Sequence, residues 1–193
     1  MHAVVIAAGE GRRMRPLSER WPKPVLPIDG RPVVASLLRE LAASGLTQVT
    51  VVTGHLADQV EELLGDGSAF GVEARYARQP EPDGSADAVR RAVEAGAEPP
   101  LLVSAADTLY TAGDTGRFAE AFVEAGQPSA LAYAPDGMPA PLWGLTAAVT
   151  EGFDGLPGPP FELLQAVERA GEVARIEIGK TRDVTGPLDL VRE

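Results

Sequence analysis

Short β-branched apolar runs alternate with helically spaced apolar positions along most of this chain, and no other feature of the sequence restricts its fold so strongly. Residues 2–7 (HAVVIA) read as a buried strand that ends at Ala8-Gly9. Residues 32–44 carry Val33, Val34, Leu37, Leu38 and Leu41 along one helical face, and Gly45 is a stop signal. The same reasoning places strands at 49–53, 72–78 and 101–104, and helices at 56–64 and about 85–95. A helix over 118–125 and a strand over 129–133 follow. Eleven of the 26 residues in 135–160 are glycine or proline, so that stretch is expected to be irregular except for a strand near 142–149. The pattern resumes with a helix over 161–170, a strand over 172–178 and a terminal turn over 187–193.

Such units, joined by short connections, define an α/β fold: a doubly wound, mainly parallel sheet with helices on both faces, Rossmann-like in plan. The length suits one domain over residues 1–193, and neither an internal repeat nor a linker interrupts it. Ligands of these sheets bind outside the carboxyl ends of the strands, near a change in strand order. The loop after the first strand, residues 8–31, is therefore where chemistry is expected.

Five of the 17 basic residues (Arg12, Arg13, Arg15, Arg20 and Lys23) fall in one twelve-residue window of that loop, in a chain of net charge −11. A cationic island in an acidic protein suits a small, highly charged anion. Gly9 and Gly11 let the backbone turn tightly and aim successive N–H groups at it. Neither familiar phosphate loop fits. The dinucleotide fingerprint needs a third glycine where Met14 stands, and the Gly-Lys-Thr at 179–181 has Ala174 where a P-loop has its first glycine. Lys23 is one of two lysines against 15 arginines, and Pro22 and Pro24 fix the backbone on either side of it. A triphosphate matches these parts: N–H groups cradle its outer phosphates while Arg13 and Lys23 neutralise charge around the α-phosphorus. A solvated Arg/Pro-rich loop without a ligand is the alternative.

The stretch VIAAGEGRRMRPLSERWPKPVLPIDGRPVV resembles the signature of the sugar-phosphate nucleotidylyltransferase family: Ala-Ala-Gly-x-Gly-Thr-Arg-Leu/Met-x-Pro, then Pro-Lys-Pro, then Gly-x-Pro. Arg12 stands where the family has threonine, and it too can reach phosphate. The likeness runs with gaps from residue 2 to about 110 and returns near 183–190. It implies a nucleotide-binding part over about 1–110 and an acceptor-binding part over about 111–193. It also implies a nucleotide site built from Ala7, Ala8, Gly9, Gly11, Arg12, Arg13 and Lys23, with Arg13 and Lys23 catalytic. Gln79 and the following Gly84-Ser85-Ala86 match the base-recognition segment, and a glutamine amide suits the imide edge of uracil or thymine. The helix opening near Ser85 would set backbone N–H groups beside the nucleoside.

Asp107 corresponds to the family aspartate that binds catalytic magnesium, and Asp183 to the second ligand. Asp189 falls on the last aspartate of the family pattern Asp-Ile/Val-x-Thr-Pro-x-Asp-Leu that Asp183 opens and is read as a structural cap, and Gly186 replaces the pattern's threonine. The implied activity is magnesium-dependent transfer of a nucleotidyl group from a nucleoside triphosphate to a sugar 1-phosphate, with release of pyrophosphate. Nothing matches the family's acceptor-binding Glu-Lys-Pro insertion, since the chain runs almost directly from Tyr133 to Leu142-Trp143-Gly144, and the C-terminal β-helix of some relatives is not expected either. Two alternatives stay open: a non-sugar acceptor, as in relatives acting on molybdopterin or on alditol and choline phosphates, and a nucleotide-binding module without turnover.

The remaining composition narrows the field. No cysteine is present, and His2 and His55 alone do not make a zinc site; His55 and Trp143 are read as structural. The net charge argues against nucleic acid as a partner. The apolar runs are too short to span a bilayer, and no export signal opens the chain, so a cytoplasmic protein is expected. Association into a homo-oligomer is left open.

Overall fold

A computed structural model describes residues 1–155 and 160–190. Its elements are β1 (His2–Ala7), β2 (Pro27–Ile28), β3 (Arg31–Pro32), α1 (Val33–Ala43), β4 (Gln48–Thr53), α2 (Ala57–Leu64), β5 (Glu73–Arg78), α3 (Ser85–Glu94) and β6 (Leu101–Ala105). They continue with β7 (Thr108–Leu109), α4 (Asp114–Ala125), β8 (Ser129–Tyr133), β9 (Pro139–Leu145), α5 (Ala147–Thr150), α6 (Leu163–Arg169), β10 (Val173–Glu177) and β11 (Arg182–Asp183).

Seven strands form one sheet in the order β10-β8-β9-β6-β1-β4-β5, parallel throughout except for β9. The expected doubly wound, mainly parallel sheet is what the chain forms. Successive residues of β1 serve opposite faces, as the twofold period of a strand requires. Ala3, Val5 and Ala7 join α1, α2 and α4 in one apolar cluster. Val4 and Ala8 join α3, α5 and α6 in the other. A smaller cluster of Met14, Leu26, Ile28, Val33 and Val184 lies under the loop of residues 8–31 and ties it to the end of β11.

Two expectations need correction. Residues 142–149 are not one strand: β9 spans Pro139–Leu145 and α5 follows from Ala147. The strand expected there starts three residues earlier and ends four residues sooner than its pattern suggests. Gly144 is required there because a Cβ would lie 2.5 Å from the Phe122 ring of α4, and a register shift opposite Leu131 and Tyr133 accommodates the proline-rich start. The helix expected over 118–125 begins four residues earlier, at Asp114. Its start is set from a distance: the Glu40 carboxylate of α1 accepts the Gly113 N–H at 2.8 Å, and buried Asp114 accepts the Gly179 N–H at 3.0 Å. The last three residues of the terminal turn, 191–193, lie outside the described residues, where the turn spans Pro187–Leu190.

Candidate active site

The sheet order reverses at β1, whose sequence successor β4 lies on one side and β6 on the other. Ala7 is level with Thr53 of β4, and Ile6 with Ala105 of β6, so the loops leaving these strands diverge and open a crevice between them. A cavity of about 310 Å³ occupies that crevice, lined among others by Gly9, Gly11, Arg13, Lys23, Asp107 and Thr185.

The first wall is the loop after β1. Gly11 has φ 60° and caps a helical turn over Arg12–Met14, closed by the Met14 N–H on the Gly11 carbonyl at 2.8 Å. A Cβ on Gly11 would press on Ser18 at 3.3 Å and on Lys23 at 3.4 Å, so the glycine also admits close packing of the lysine stem. Buried Met14 anchors the turn to the core below. Lys23 opens the third helical turn of the loop, Lys23–Val25, with Pro22 and Pro24 on either side. Its ammonium pairs with the Asp107 carboxylate across the crevice, 84 residues away in sequence. The Arg13 guanidinium has no partner among the described residues, whereas exposed Arg12 pairs with Glu10 at 2.8 Å. Ala7 and Ala8 are buried at the end of β1, and the Ala8 carbonyl accepts the His55 N–H at 3.3 Å.

The opposite wall brings the two aspartates together. Strands β7 and β11 pair antiparallel with Asp183 opposite Thr108, and the Val184 N–H donates to the Asp107 carbonyl at 3.0 Å. The Thr108 hydroxyl donates to Asp183 Oδ1 at 2.6 Å. Burial pushes the Asp183 carboxyl above the usual range, and the Asp107 charge pushes the same way against the Thr108 hydrogen bond and Lys23. Sequence reasoning missed Thr108, whose pairing partner is visible only once β11 folds back. Asp189 accepts the Thr185 and Gly186 N–H groups and the Thr185 hydroxyl, each at 2.8 Å, as expected of a cap.

Gln79 stands beside this crevice at the end of β5, its N–H on the Thr53 carbonyl at 2.8 Å. Gly54 separates it from the loop after β1: a Cβ there would lie 2.7 Å from the Ala8 carbonyl oxygen and 2.9 Å from that of Gln79. This contact gave no sequence signal. The expected role of α3's first turn meets a different arrangement. The Ala86 N–H donates to the Phe161 carbonyl at 3.1 Å, and the Ser85 hydroxyl donates to Glu162 at 2.6 Å and accepts the Leu163 N–H at 2.7 Å. Gly84, at φ 97°, has the Phe161 backbone where a side chain would stand. The Ser85 hydroxyl and the Ala86 N–H are thus hydrogen-bonded within the chain.

A glycine turn, a braced ammonium and two adjoining carboxylates thus meet at the switch point of a doubly wound α/β sheet, where ligands of such sheets bind. Comparison with known proteins agrees. The family model for nucleotidyl transferases matches residues 2–147, and the chain belongs to that family. The chain is 38% identical over 121 residues to the N-acetylmuramate alpha-1-phosphate uridylyltransferase of Neisseria meningitidis serogroup B, covering 61% of this chain and 52% of that protein. It is 44% identical over 82 residues to the CMP-5'-(3-aminopropyl)phosphonate synthase of Streptomyces rubellomurinus, covering 42% of this chain and 13% of that protein. The chain thus spans about half the length of the first of these relatives and less of the second. A Bacillus anthracis structure provisionally assigned as a glucose-1-phosphate thymidylyltransferase superposes with a TM-score of 0.88 at 18% identity, covering 100% of this chain and 93% of that one, which establishes the shared fold.

Proposed function

We propose that this chain transfers a nucleotidyl group from a nucleoside triphosphate to a phosphorylated small molecule, a sugar 1-phosphate above all, and releases pyrophosphate. The observation that carries this reading is the meeting of Lys23 with Asp107 across the crevice, with Asp183 beside them. N-acetylmuramate alpha-1-phosphate, the acceptor named for the Neisseria relative, supports the acceptor class.

In this reading the N–H groups around Gly9 and Gly11 cradle the triphosphate. Arg13, without a partner among the described residues, and Lys23 gather the charge that builds on the α-phosphoryl group in the transition state. An acceptor phosphate oxygen attacks the α-phosphorus in line, and pyrophosphate leaves from the opposite side. A phosphate monoester is already an adequate nucleophile, so the protein's work is alignment and charge neutralisation. Two adjoining carboxylates, one held at a raised pKa by burial and its neighbour's charge, fit a hard divalent cation that takes its other ligands from water and phosphate. Asp107 and Asp183 would hold magnesium, which when bound would offset phosphate charge during transfer. Gln79 would read the base.

A non-sugar acceptor is the second reading. The turn joining β8 to β9 favours it: the Gly137 N–H closes on the Ala134 carbonyl at 2.8 Å, and the Ala134 N–H on that of Met138 at 2.9 Å, so this connection carries no acceptor-binding insertion. The test is magnesium-dependent pyrophosphate release across a panel of triphosphates with sugar 1-phosphates, alditol phosphates and phosphonates as acceptors. Lys23→Ala and Asp107→Ala are each expected to lower turnover by at least about a hundredfold, the loss of one transition-state stabiliser. Near-normal rates in both variants would refute the assigned roles. Triphosphate binding without pyrophosphate release under every acceptor would reduce the protein to a binding module.

A further inference from the structure

Gln79 is only 6% exposed, yet half of its amide is unclaimed. Its Nε2 donates to the Gly84 carbonyl at 2.9 Å and to Asp87 Oδ2 at 2.8 Å, so two acceptors take its two hydrogens. Its Oε1 receives a hydrogen bond from no described residue. Turning the amide over would set that oxygen against a carbonyl and a carboxylate, exchanging two hydrogen bonds for two acceptor–acceptor contacts. Asp87 cannot easily yield. Its Oδ2 also accepts Arg91 Nε at 2.7 Å, and Arg90 holds its Oδ1. Burial works to raise the Asp87 pKa, but the hydrogen bonds from Gln79, Arg91 and Arg90 outweigh it and keep the carboxyl below its ordinary range. It is therefore an ionised, immobile acceptor at neutral pH.

We infer that Asp87 determines base specificity by locking the Gln79 amide with its carbonyl oxygen toward the ligand, so that the site takes a base whose ring nitrogen carries a hydrogen. Uracil, thymine and guanine present such an N–H, whereas cytosine and adenine present a bare ring nitrogen that would oppose the carbonyl lone pair. Asp87 touches no ligand itself and acts through Gln79. The inference rests on the nucleotidyl-transfer reading above. It narrows the expectation that the amide suits an imide edge, because both of its donors are spent inside the chain and only its oxygen is left to meet the ring N–H.

Calorimetric binding of UTP against CTP, and of GTP against ATP, tests this with base size held constant within each pair. Wild-type protein should favour the ring N–H member of at least one pair by about tenfold or more. In Asp87→Asn one oxygen remains for three donors; held by Arg90 in the Oδ1 position, it leaves Nδ2 in place of Oδ2, facing Gln79, and the amide is drawn round; that preference should fall by about tenfold, with Asp87→Glu retaining it. Equal weakening of all four nucleotides by Asp87→Asn, with the ratios unchanged, would make Asp87 merely structural and overturn the proposal. So would wild-type protein that binds CTP and ATP as tightly as their partners, a result readable even if Asp87→Asn does not fold. Magnesium-dependent pyrophosphate release that is equally fast with UTP and CTP, and with GTP and ATP, would sink this inference and leave nucleotidyl transfer standing. Failure to bind any of the four would remove both.

Discussion

Single side chains here derive their meaning from what they oppose. Asp183 is half-buried beside a second carboxylate, and burial followed by the Asp107 charge raises its pKa. The proton it holds in the folded state favours folding below the ordinary carboxylate pKa, and that contribution is lost as pH rises through the raised value. At neutral pH the ionised group therefore weighs against the fold. Asp183→Asn should melt a few degrees higher than wild type in the absence of divalent cations, while losing most of its turnover; a lower melting temperature would contradict this. His55, read from sequence as structural, donates from Nε2 to the Ser18 carbonyl at 2.7 Å, and Gln59 donates to that of Arg20 at 3.0 Å. Together they clip the cationic loop to the corner after β4. His55→Ala is expected to lower kcat/KM by about tenfold to a hundredfold through a displaced loop, with His55→Gln recovering much of it because the amide can still donate. Steady-state kinetics on both variants decides the point.

At the level of elements, the site depends on short pieces that no periodicity announces. Strands β7 and β11 have two residues each, yet their pairing sets Asp183 beside the residue after Asp107. The turn between β2 and β3 is Asp29-Gly30, both at positive φ, a combination suited to a tight hairpin, and it brings Ile28 under the loop. The segment around Phe161 and Glu162 closes the first turn of α3. Gly84→Ala tests how rigid that closure is. The new Cβ would lie 2.6 Å from the Phe161 nitrogen and carbonyl carbon, at a φ of 97°, and backbone atoms cannot step aside as a side chain can. A loss of at least about 2 kcal/mol in urea denaturation is expected. A variant as stable as wild type would mean that the segment lifts away easily.

For the molecule as a whole, two apolar clusters on either face of one sheet hold two walls that must meet at a crevice. A ligand that grips both walls should stabilise the fold by mass action, about 2.7 kcal/mol at a hundred times its Kd. For a domain of this size that corresponds to a rise of roughly 5–10 °C in melting temperature with saturating triphosphate and magnesium. Asp107→Ala should lose the magnesium-dependent part of the shift, and an unchanged shift in that variant would place the metal elsewhere.

The sheet and most of its elements were legible in the sequence because burial repeats at fixed periods along strands and helices, and Val4, Val5, Leu37 and Leu38 follow them. The glycine loop and Lys23 were legible because turn glycines and bracing prolines act through local backbone geometry. The bounds of β9, the first turn of α4 and the committed donors of Gln79 were not, since each is decided by a side chain that folding brings against it: Phe122, Glu40 and, only eight residues on but across the turn from β5 into α3, Asp87. Local sequence sets the conformations a segment can adopt. Which hydrogen-bonding groups remain free for a ligand depends on the other groups that folding brings within reach, and tertiary structure alone decides that.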